Sequence, residues 1–355
     1  ALALALVAVP GLVVYAFFSS IGGLRHRLLG APAPRIDSIA VLPLDNLSRD
    51  PEQEYFADGM TEALTAELSK ISALKVISRT SAMRYRNTDK PMPQIARELN
   101  VDALIEGSVV REGDQVRITV QLIHGPTDKH LWAESYQREL RGVLALQSDV
   151  ARAIAREVRV AVTPAEATRL AAARPVNPEA YQTYLKGRFY WNKRDDEGLK
   201  KSAKYFEQAI EIDPSYALAY AGLADAYGIS TGIGLLPTKE ALPKARAAAL
   251  KALGIDPSLA EAHTSMGMVA HFEWDWLTAE EEYQRAIELN PNYATAHHFY
   301  SVYLSKMGRH EEAIAQATRA HELDPLSLII GTSLAGAYCA GGQHERAEQE
   351  LQKVL

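Results

Sequence analysis

Apolar residues follow three different patterns along this chain. Residues 1–24 contain no charged side chain, and the stretch from Leu2 to Phe18 is almost wholly apolar. Between residues 38 and 162, short apolar or alternating runs typical of strands are interleaved with runs of helical period. From residue 178 onward the helical period dominates. These patterns predict a multidomain chain with an apolar segment, an α/β region and an all-α region.

The apolar segment has the length of about 20 residues that a bilayer-spanning helix needs. A secretory signal peptide is the alternative, but it would need a basic start, which Ala1–Leu4 lacks. We therefore predict a transmembrane helix over residues 1–24. Residues 25–37, which include Pro32 and Pro34, are predicted to be a linker.

The α/β region, residues 38–162, alternates predicted strands with predicted helices. Every second residue from Val116 to Leu122 is apolar, which indicates a strand with one buried face. Gly113-Asp114 supplies a turn before it, so this strand forms a hairpin with the strand that precedes it. The predicted strands are Ile39–Leu44, Leu74–Ser78, Val101–Val110, Val116–Leu122 and Leu131–Arg138, and the predicted helices are Phe56–Ile71, Pro93–Leu99 and Val143–Val160. This order predicts an α/β sandwich, followed by a helical hinge over residues 163–177.

The all-α region contains consecutive segments of one length. Pro257, Pro291 and Pro325 are 34 residues apart, and each follows an acidic or amide residue. Small residues recur at fixed offsets between them, for example Ala279 and its counterpart Ala313. Self-similarity at this period indicates an array of helix pairs that bury their apolar faces by stacking.

These segments resemble the tetratricopeptide repeat (TPR). Its first helix, A, carries a large residue followed by a small one, and its second helix, B, carries spaced small or aromatic residues. Met266-Gly267, Tyr283 and Pro291 follow this pattern. We assign residues 178–355 to an all-α TPR solenoid of about 4–5 repeats, the last one truncated. The repeat that ends at Pro257 is nine residues longer, and we expect the extra residues between its helices.

The α/β region resembles the TolB amino-terminal-like domain. The blocks that carry the resemblance are IAVLPLDNLSRDPEQEYFADGM from Ile39, VDALIEGSVVREGDQVRITVQLI from Val101 and HLWAESYQREL from His130. The resemblance implies a bacterial regulator with a winged-helix, serine/threonine kinase or adenylate cyclase effector before one inner-membrane helix. It also implies a periplasmic TolB-like and TPR region, whereas Arg25 and Arg27 alone would place that region in the cytoplasm.

Composition and motifs argue against several classes of function. A net charge of −6 argues against a nucleic-acid surface, so we expect no direct nucleic-acid binding. The one cysteine, Cys339, excludes an internal disulfide, and we expect it to be a small buried side chain. The sequence has no P-loop, His-Glu-x-x-His, Gly-x-Ser-x-Gly or kinase signature. We therefore expect no enzymatic activity, no cofactor and no metal ion in this region.

Five residues on predicted A helices are candidates for binding a protein or peptide in the TPR groove. They are Tyr220, Asp225, His263, His297 and His298, which we expect to face solvent. His263 and His297 occupy the same position in successive repeats. Two histidines without a carboxylate partner are poor evidence for a metal site, so we interpret them as lining the concave groove.

Two other clusters have a structural interpretation. The basic run from Arg79 to Lys90 is predicted to be a solvated loop. Trp274 and Trp276 flank an inter-helix turn, and we expect them to pack over that turn.

The sequence therefore predicts a non-enzymatic interaction and sensing region of a membrane-anchored bacterial signalling or transcriptional regulator. The alternative is an envelope assembly scaffold without an effector domain. Homo-oligomer formation stays open.

Overall fold

Short apolar runs bounded by turn residues build a six-stranded mixed sheet in the computed structural model. The structure describes residues 35–48, 50, 53–171, 175–193 and 195–354. The predicted membrane segment 1–24 lies outside these residues, as does most of the predicted linker. No helix within the described ranges is long and apolar enough to cross a bilayer.

The sheet joins a parallel half to an antiparallel half. Its strands are β1 (Ser38–Val41), β2 (Asp45–Asn46), β3 (Lys75–Val76), β4 (Ala103–Glu112), β5 (Gln115–His124) and β6 (Lys129–Glu139). The order is β3-β1-β4-β5-β6, and β2 also pairs with β4. β1 is parallel to β3 and β4, whereas β4, β5 and β6 are antiparallel. The predicted hairpin is present as β4 and β5, with Glu112 opposite Gln115.

Five helices accompany the sheet and complete what we call the sheet lobe. They are α1 (Glu54–Ser69), α2 (Arg79–Ala82), α3 (Met92–Leu99), α4 (Val143–Glu157) and α5 (Pro164–Ala171). Alternate residues of β1 point to opposite faces, because the side-chain period of a strand is two. Ile39 joins the core formed with α1 and α4, while Ala40 joins the smaller core formed with α3. The short helix α2 was not predicted from sequence.

The second half of the described chain is a solenoid of antiparallel helix pairs. Its helices are α6 (Pro178–Trp191), α7 (Asp196–Ile212), α8 (Ala217–Gly232), α9 (Thr238–Ile255), α10 (Ala260–Phe272), α11 (Trp276–Leu289), α12 (Ala294–Lys306), α13 (His310–Leu323), α14 (Leu328–Ala340) and α15 (His344–Val354). The nine extra residues of the long repeat mostly lengthen α8 and α9, to 16 and 18 residues. They do not form the separate loop expected between these helices.

The sheet lobe and the solenoid share one apolar core. Tyr181 and Leu185 of α6 and Tyr216 before α8 belong to the same buried cluster as Met60 of α1. Residues 36–355 accordingly form one compact unit. The sheet lobe and the solenoid therefore pack directly against each other.

Candidate functional site

A cavity of 460 Å³ lies between the sheet lobe and the solenoid. Its walls come from α1, α6 and α8 and from the first turns of α10 and α12. Its polar and aromatic lining includes Glu62, Tyr184, Arg188, Tyr216, Asp225 and Glu261. The volume lies within the range of about 300–1,000 Å³ typical of small-molecule sites.

Charged side chains that are largely buried connect the two sides of this cavity. Glu62 of α1 accepts a 2.5 Å hydrogen bond from Nε of Arg188 on α6 and a 3.0 Å bond from Nδ2 of Asn192. Nη1 of Arg188 also lies 3.6 Å from Oδ2 of Asp225 on α8. Burial alone would raise the pKa of Glu62, but Arg188 and then Arg79 outweigh it and lower that pKa. The carboxylate is thus held charged across the boundary between lobe and solenoid.

The basic run before Lys90 was wrongly interpreted as a solvated loop. Arg79 begins helix α2, and its Nη2 lies 3.2 Å from Oδ2 of Asp58 on α1. Arg86 is bonded to both Glu54 and Asp58. The signal available in the sequence was the row of acids at Glu54, Asp58 and Glu62, four residues apart on one face of a helix.

Asp225 is the candidate groove residue that contributes to the cavity. It is only 6% exposed and accepts a hydrogen bond from the Ser265 hydroxyl, so the expectation that it faces solvent is wrong. Tyr220, on the same helix, is half-buried and packs near Leu253 and Leu259. It is therefore a partly covered contact between repeats.

The two equivalent histidines make the same kind of contact within their own repeats. Nδ1 of His263 lies 2.6 Å from Glu282 Oε2, and its Nε2 lies 3.0 Å from the Pro257 carbonyl. His297 repeats both contacts, with Gln316 at 2.6 Å and the Pro291 carbonyl at 3.1 Å. Each imidazole ties the start of its A helix to the following B helix. His297 is only 5% exposed, which contradicts the predicted solvent-facing position.

The pKa values of the two rings shift in opposite directions. Burial would lower the pKa of His263, but the hydrogen bonds to Glu282 and the Pro257 carbonyl outweigh it and raise the pKa. Burial dominates at His297 and lowers its pKa, although the hydrogen bonds to Gln316 and the Pro291 carbonyl oppose it. His298 lies apart from both, half-buried, with Nε2 2.8 Å from Ser333 Oγ. The five candidate residues therefore do not converge on one site.

The contacts that hold the lobe against the later repeats were missed from sequence. Nδ2 of Asn292 donates to the backbone carbonyls of Ser69, Ile71 and Leu74, at 3.1, 3.2 and 2.8 Å. Nδ2 of Asn290 donates to Ser69 Oγ at 2.9 Å. Ser69 is the last residue of α1, where a helix leaves carbonyls without intrahelical partners, and Ile71 and Leu74 lie in the segment that follows.

One repeat later, the turn between α13 and α14 also contacts the lobe. We call such a turn between successive repeats a junction. Asp324 is 3% exposed and accepts a 2.5 Å hydrogen bond from Ser81 Oγ. The Leu326 amide donates to the same hydroxyl at 2.9 Å, and the Ser78 amide donates to the Leu323 carbonyl at 2.7 Å. The sequence signal was weak, because Asp324 and Asn290 stand at the repeat positions that usually form local turns.

Two further expectations are corrected at the outer surface. Trp276 packs near His271 and Tyr303 as expected, but Trp274 is 76% exposed with φ of +65°. Cys339 is exposed and does not fill the core. Among the residues that the structure describes, no group of three His, Cys, Asp or Glu side chains could hold a metal ion.

Comparison with known families agrees with the two-part architecture. Residues 35–153 match the family described as HilA/YgeH-like transcriptional regulator, second domain. Residues 184–216 match the tetratricopeptide repeat family. The chain thus carries a TPR and a HilA-like domain, while the finer resemblance to the TolB amino-terminal-like domain is not confirmed.

Three curated proteins are similar to this chain. "Putative adenylate cyclase 3" of Rhizobium meliloti is 39% identical over 201 residues, 56% of this chain and 34% of that protein. "Transcriptional regulator HilA" of Salmonella typhimurium is 21% identical over 305 residues, 85% of this chain and 53% of that protein. "Type IV pilus assembly protein PilF" of Pseudomonas aeruginosa is 34% identical over 98 residues, 28% of this chain and 38% of that protein. The chain spans about half the length of HilA and a smaller share of the other two relatives.

Proposed function

We propose that this chain is the interaction and sensing region of a membrane-anchored bacterial regulator, with its effector domain in another part of the natural protein. The region itself binds protein segments and performs no chemistry. The relatives named as an adenylate cyclase and as a transcriptional regulator support this proposal, because this chain covers 34% and 53% of them. A TolB-like fold for the lobe and a periplasmic location belong to the same proposal.

One observation carries it: the solenoid already holds a protein segment. The Asn292 amide donates to three backbone carbonyl groups at and just beyond the end of α1, those of Ser69, Ile71 and Leu74, independently of the side chains there. Hydrogen bonds to the main chain can also supply affinity for a segment of another chain, because they do not depend on its side chains. The sheet lobe occupies these contacts of the solenoid, so a partner would bind beside the lobe or replace its contacts.

The cavity offers a place for a signal to act on this contact. Residues of the lobe and of the solenoid line the cavity, so a bound molecule would contact Glu62 and Arg188 together. Any molecule that binds the closed arrangement more tightly than an open one stabilises the closed arrangement. The lobe and the solenoid would then respond as one unit.

The test begins with the reading frame upstream of Ala1 and continues with the protein that it encodes. Cyclic AMP synthesis or reporter transcription is measured for the wild type and for Asn292→Ala. We expect the output to change, because the lobe loses this contact with the solenoid. Ser258→Ala is the matched control at the equivalent position of the preceding repeat, where Ser258 bonds only within its own turn. Unchanged output in Asn292→Ala would contradict the proposal.

An envelope assembly scaffold is the second candidate, favoured by the similarity to the pilus assembly protein PilF. It predicts no catalytic or DNA-binding domain upstream of Ala1. It also predicts that deletion of the gene disturbs an envelope structure without changing a cyclase or promoter output.

A further inference from the structure

Strand β6 leaves one edge of the sheet open. It pairs with β5 alone among the described residues, and eight of its eleven residues are exposed. The opposite edge strand, β3, has two residues, and the Ser78 amide just beyond it is bonded to the solenoid at Leu323. A long strand with free backbone groups on one side is a template for pairing with another strand.

A bulge limits the part of β6 that can pair regularly. Ile123 is opposite His130 and Leu122 is opposite Trp132, so Leu131 is an extra residue. From Trp132 to Glu139 the register with β5 is continuous. The regular outer edge is therefore eight residues long, which exceeds the usual strand length of about five to six.

We propose that two copies of this chain associate by antiparallel pairing of β6 with β6, with Tyr136 on the two-fold axis. In such a pair one residue faces its own copy, since closed dimers of identical chains use the same surface twice. With Tyr136 at that position, Glu134 lies opposite Arg138 of the second copy, and this contact occurs twice. Opposite charges in directly facing positions favour an antiparallel pair.

The alternative register within the same stretch lacks this complementarity. With Ser135 on the axis, Arg138 faces Trp132 and Glu134 faces Tyr136, so no opposite charges meet. Glu134, Tyr136 and Arg138 share one face of the strand because their positions differ by two. Nη2 of Arg138 now lies 3.3 Å from Asp149 Oδ2, with 53% of its side chain exposed, so it can reach both partners.

Disulfide trapping in the full chain tests the register. Cys339, the single cysteine, is first changed to Ser. Tyr136→Cys should then form a disulfide-linked dimer under mild oxidation, because facing Cα atoms lie about 4.5–5.5 Å apart. Glu134→Cys alone should not form this dimer. In the proposed register residue 134 faces residue 138 of the second copy, so the two residues 134 lie about 14 Å apart along the strands. A mixture of Glu134→Cys and Arg138→Cys chains should form the linked dimer.

Charge reversal tests the pairing without cysteines. Sedimentation of Arg138→Glu should show dimerisation weakened about tenfold, since two favourable contacts become repulsive. Glu134→Arg combined with Arg138→Glu should restore it. Lys129→Glu, the same charge change before the bulge, should leave it unaltered. Absence of the Tyr136→Cys dimer, equal trapping at Glu134→Cys, trapping at Ser135→Cys in its place, or no rescue by the double reversal would overturn the proposal.

Discussion

The two halves of the solenoid hold the same sheet lobe by different chemistry. In the first half the link is ionic, from Arg188 to Glu62 and Asp225. The junction residues there form hydrogen bonds within their own turns. Asp213 and Asp256 accept hydrogen bonds from the amide and hydroxyl of the serine two residues later, with amide distances of 3.0 and 2.9 Å.

In the second half the junction residues themselves make the link. Asn290 and Asn292 occupy the positions of Asp256 and Ser258, and their side-chain amides reach the lobe. Asp324, one repeat further on, reaches Ser81. A repeat position can thus close a turn locally or bind a neighbouring element, and the identity of one or two side chains decides which.

The largest effect should come from breaking the ionic link. Arg188→Met leaves Glu62 and Asp225 buried without this partner, so we expect the free energy of unfolding to fall by about 3–5 kcal/mol. Urea denaturation followed by circular dichroism measures it. Lys201→Met is the control, because Lys201 forms an exposed ion pair with Glu197. Similar losses for both variants would contradict the role of the buried link.

The neutral link should cost less to break. Asn292→Ala removes the shared donor of three buried carbonyls, so we expect a loss of about 2–3 kcal/mol in the free energy of unfolding. Ser258→Ala, at the equivalent repeat position, should cost about 1 kcal/mol or less because its bonds are exposed and local. Equal losses in the free energy of unfolding for Asn292→Ala and Ser258→Ala would contradict the difference between the two halves of the solenoid.

Replacing the second junction acid by an amide should be stabilising. Burial raises the pKa of Asp324 in spite of hydrogen bonds from Ser81 and Ser78, so the folded protein disfavours its charge at neutral pH. Asp324→Asn removes the charge and keeps an acceptor for Ser81, so we expect the free energy of unfolding to rise at neutral pH. The gain should shrink as the pH falls through the folded-state pKa of Asp324, where the wild type is neutral as well. A loss of stability at neutral pH would show that the charge itself is needed.

The smallest expected effect is a difference between His263 and His297 in how their contribution to stability depends on pH. A raised pKa at His263 gives stability that is present below the usual value of 6.5 and is lost as pH rises through the folded-state pKa. The lowered pKa of His297 gives the reverse, with stability lost as pH falls below 6.5. His263→Gln should therefore cost more at about pH 5.5 than at about pH 8, and His297→Gln should cost more at about pH 8.

NMR titration of the two ring resonances checks these directions. His263 should titrate above His297 in the wild type. Glu282→Gln should lower the pKa of His263, because it replaces a carboxylate by the neutral amide found at Gln316. Equal pKa values before and after that change would refute the explanation.

Most of the secondary structure was predictable from sequence because it depends on local periodicity. The alternation from Val116 to Leu122 gave β5, and the 34-residue spacing of prolines gave the later helix pairs. The helix α2 was missed because four residues are too few for a period to show. The roles of His263 and His297 were missed because repeat position alone does not say which side of a helix is covered.

The sequence by itself determined the elements, the repeat and the order of its two parts. Periods of two and 3.6 are properties of neighbouring residues and need no knowledge of distant ones. Only the tertiary structure decided that the solenoid holds its own sheet lobe, that Asn292 serves α1, and that Asp225 joins a buried ion cluster. These contacts join residues up to 245 positions apart in the chain. Their net energy depends on how completely the two partners satisfy each other after both have left water, which no local pattern determines.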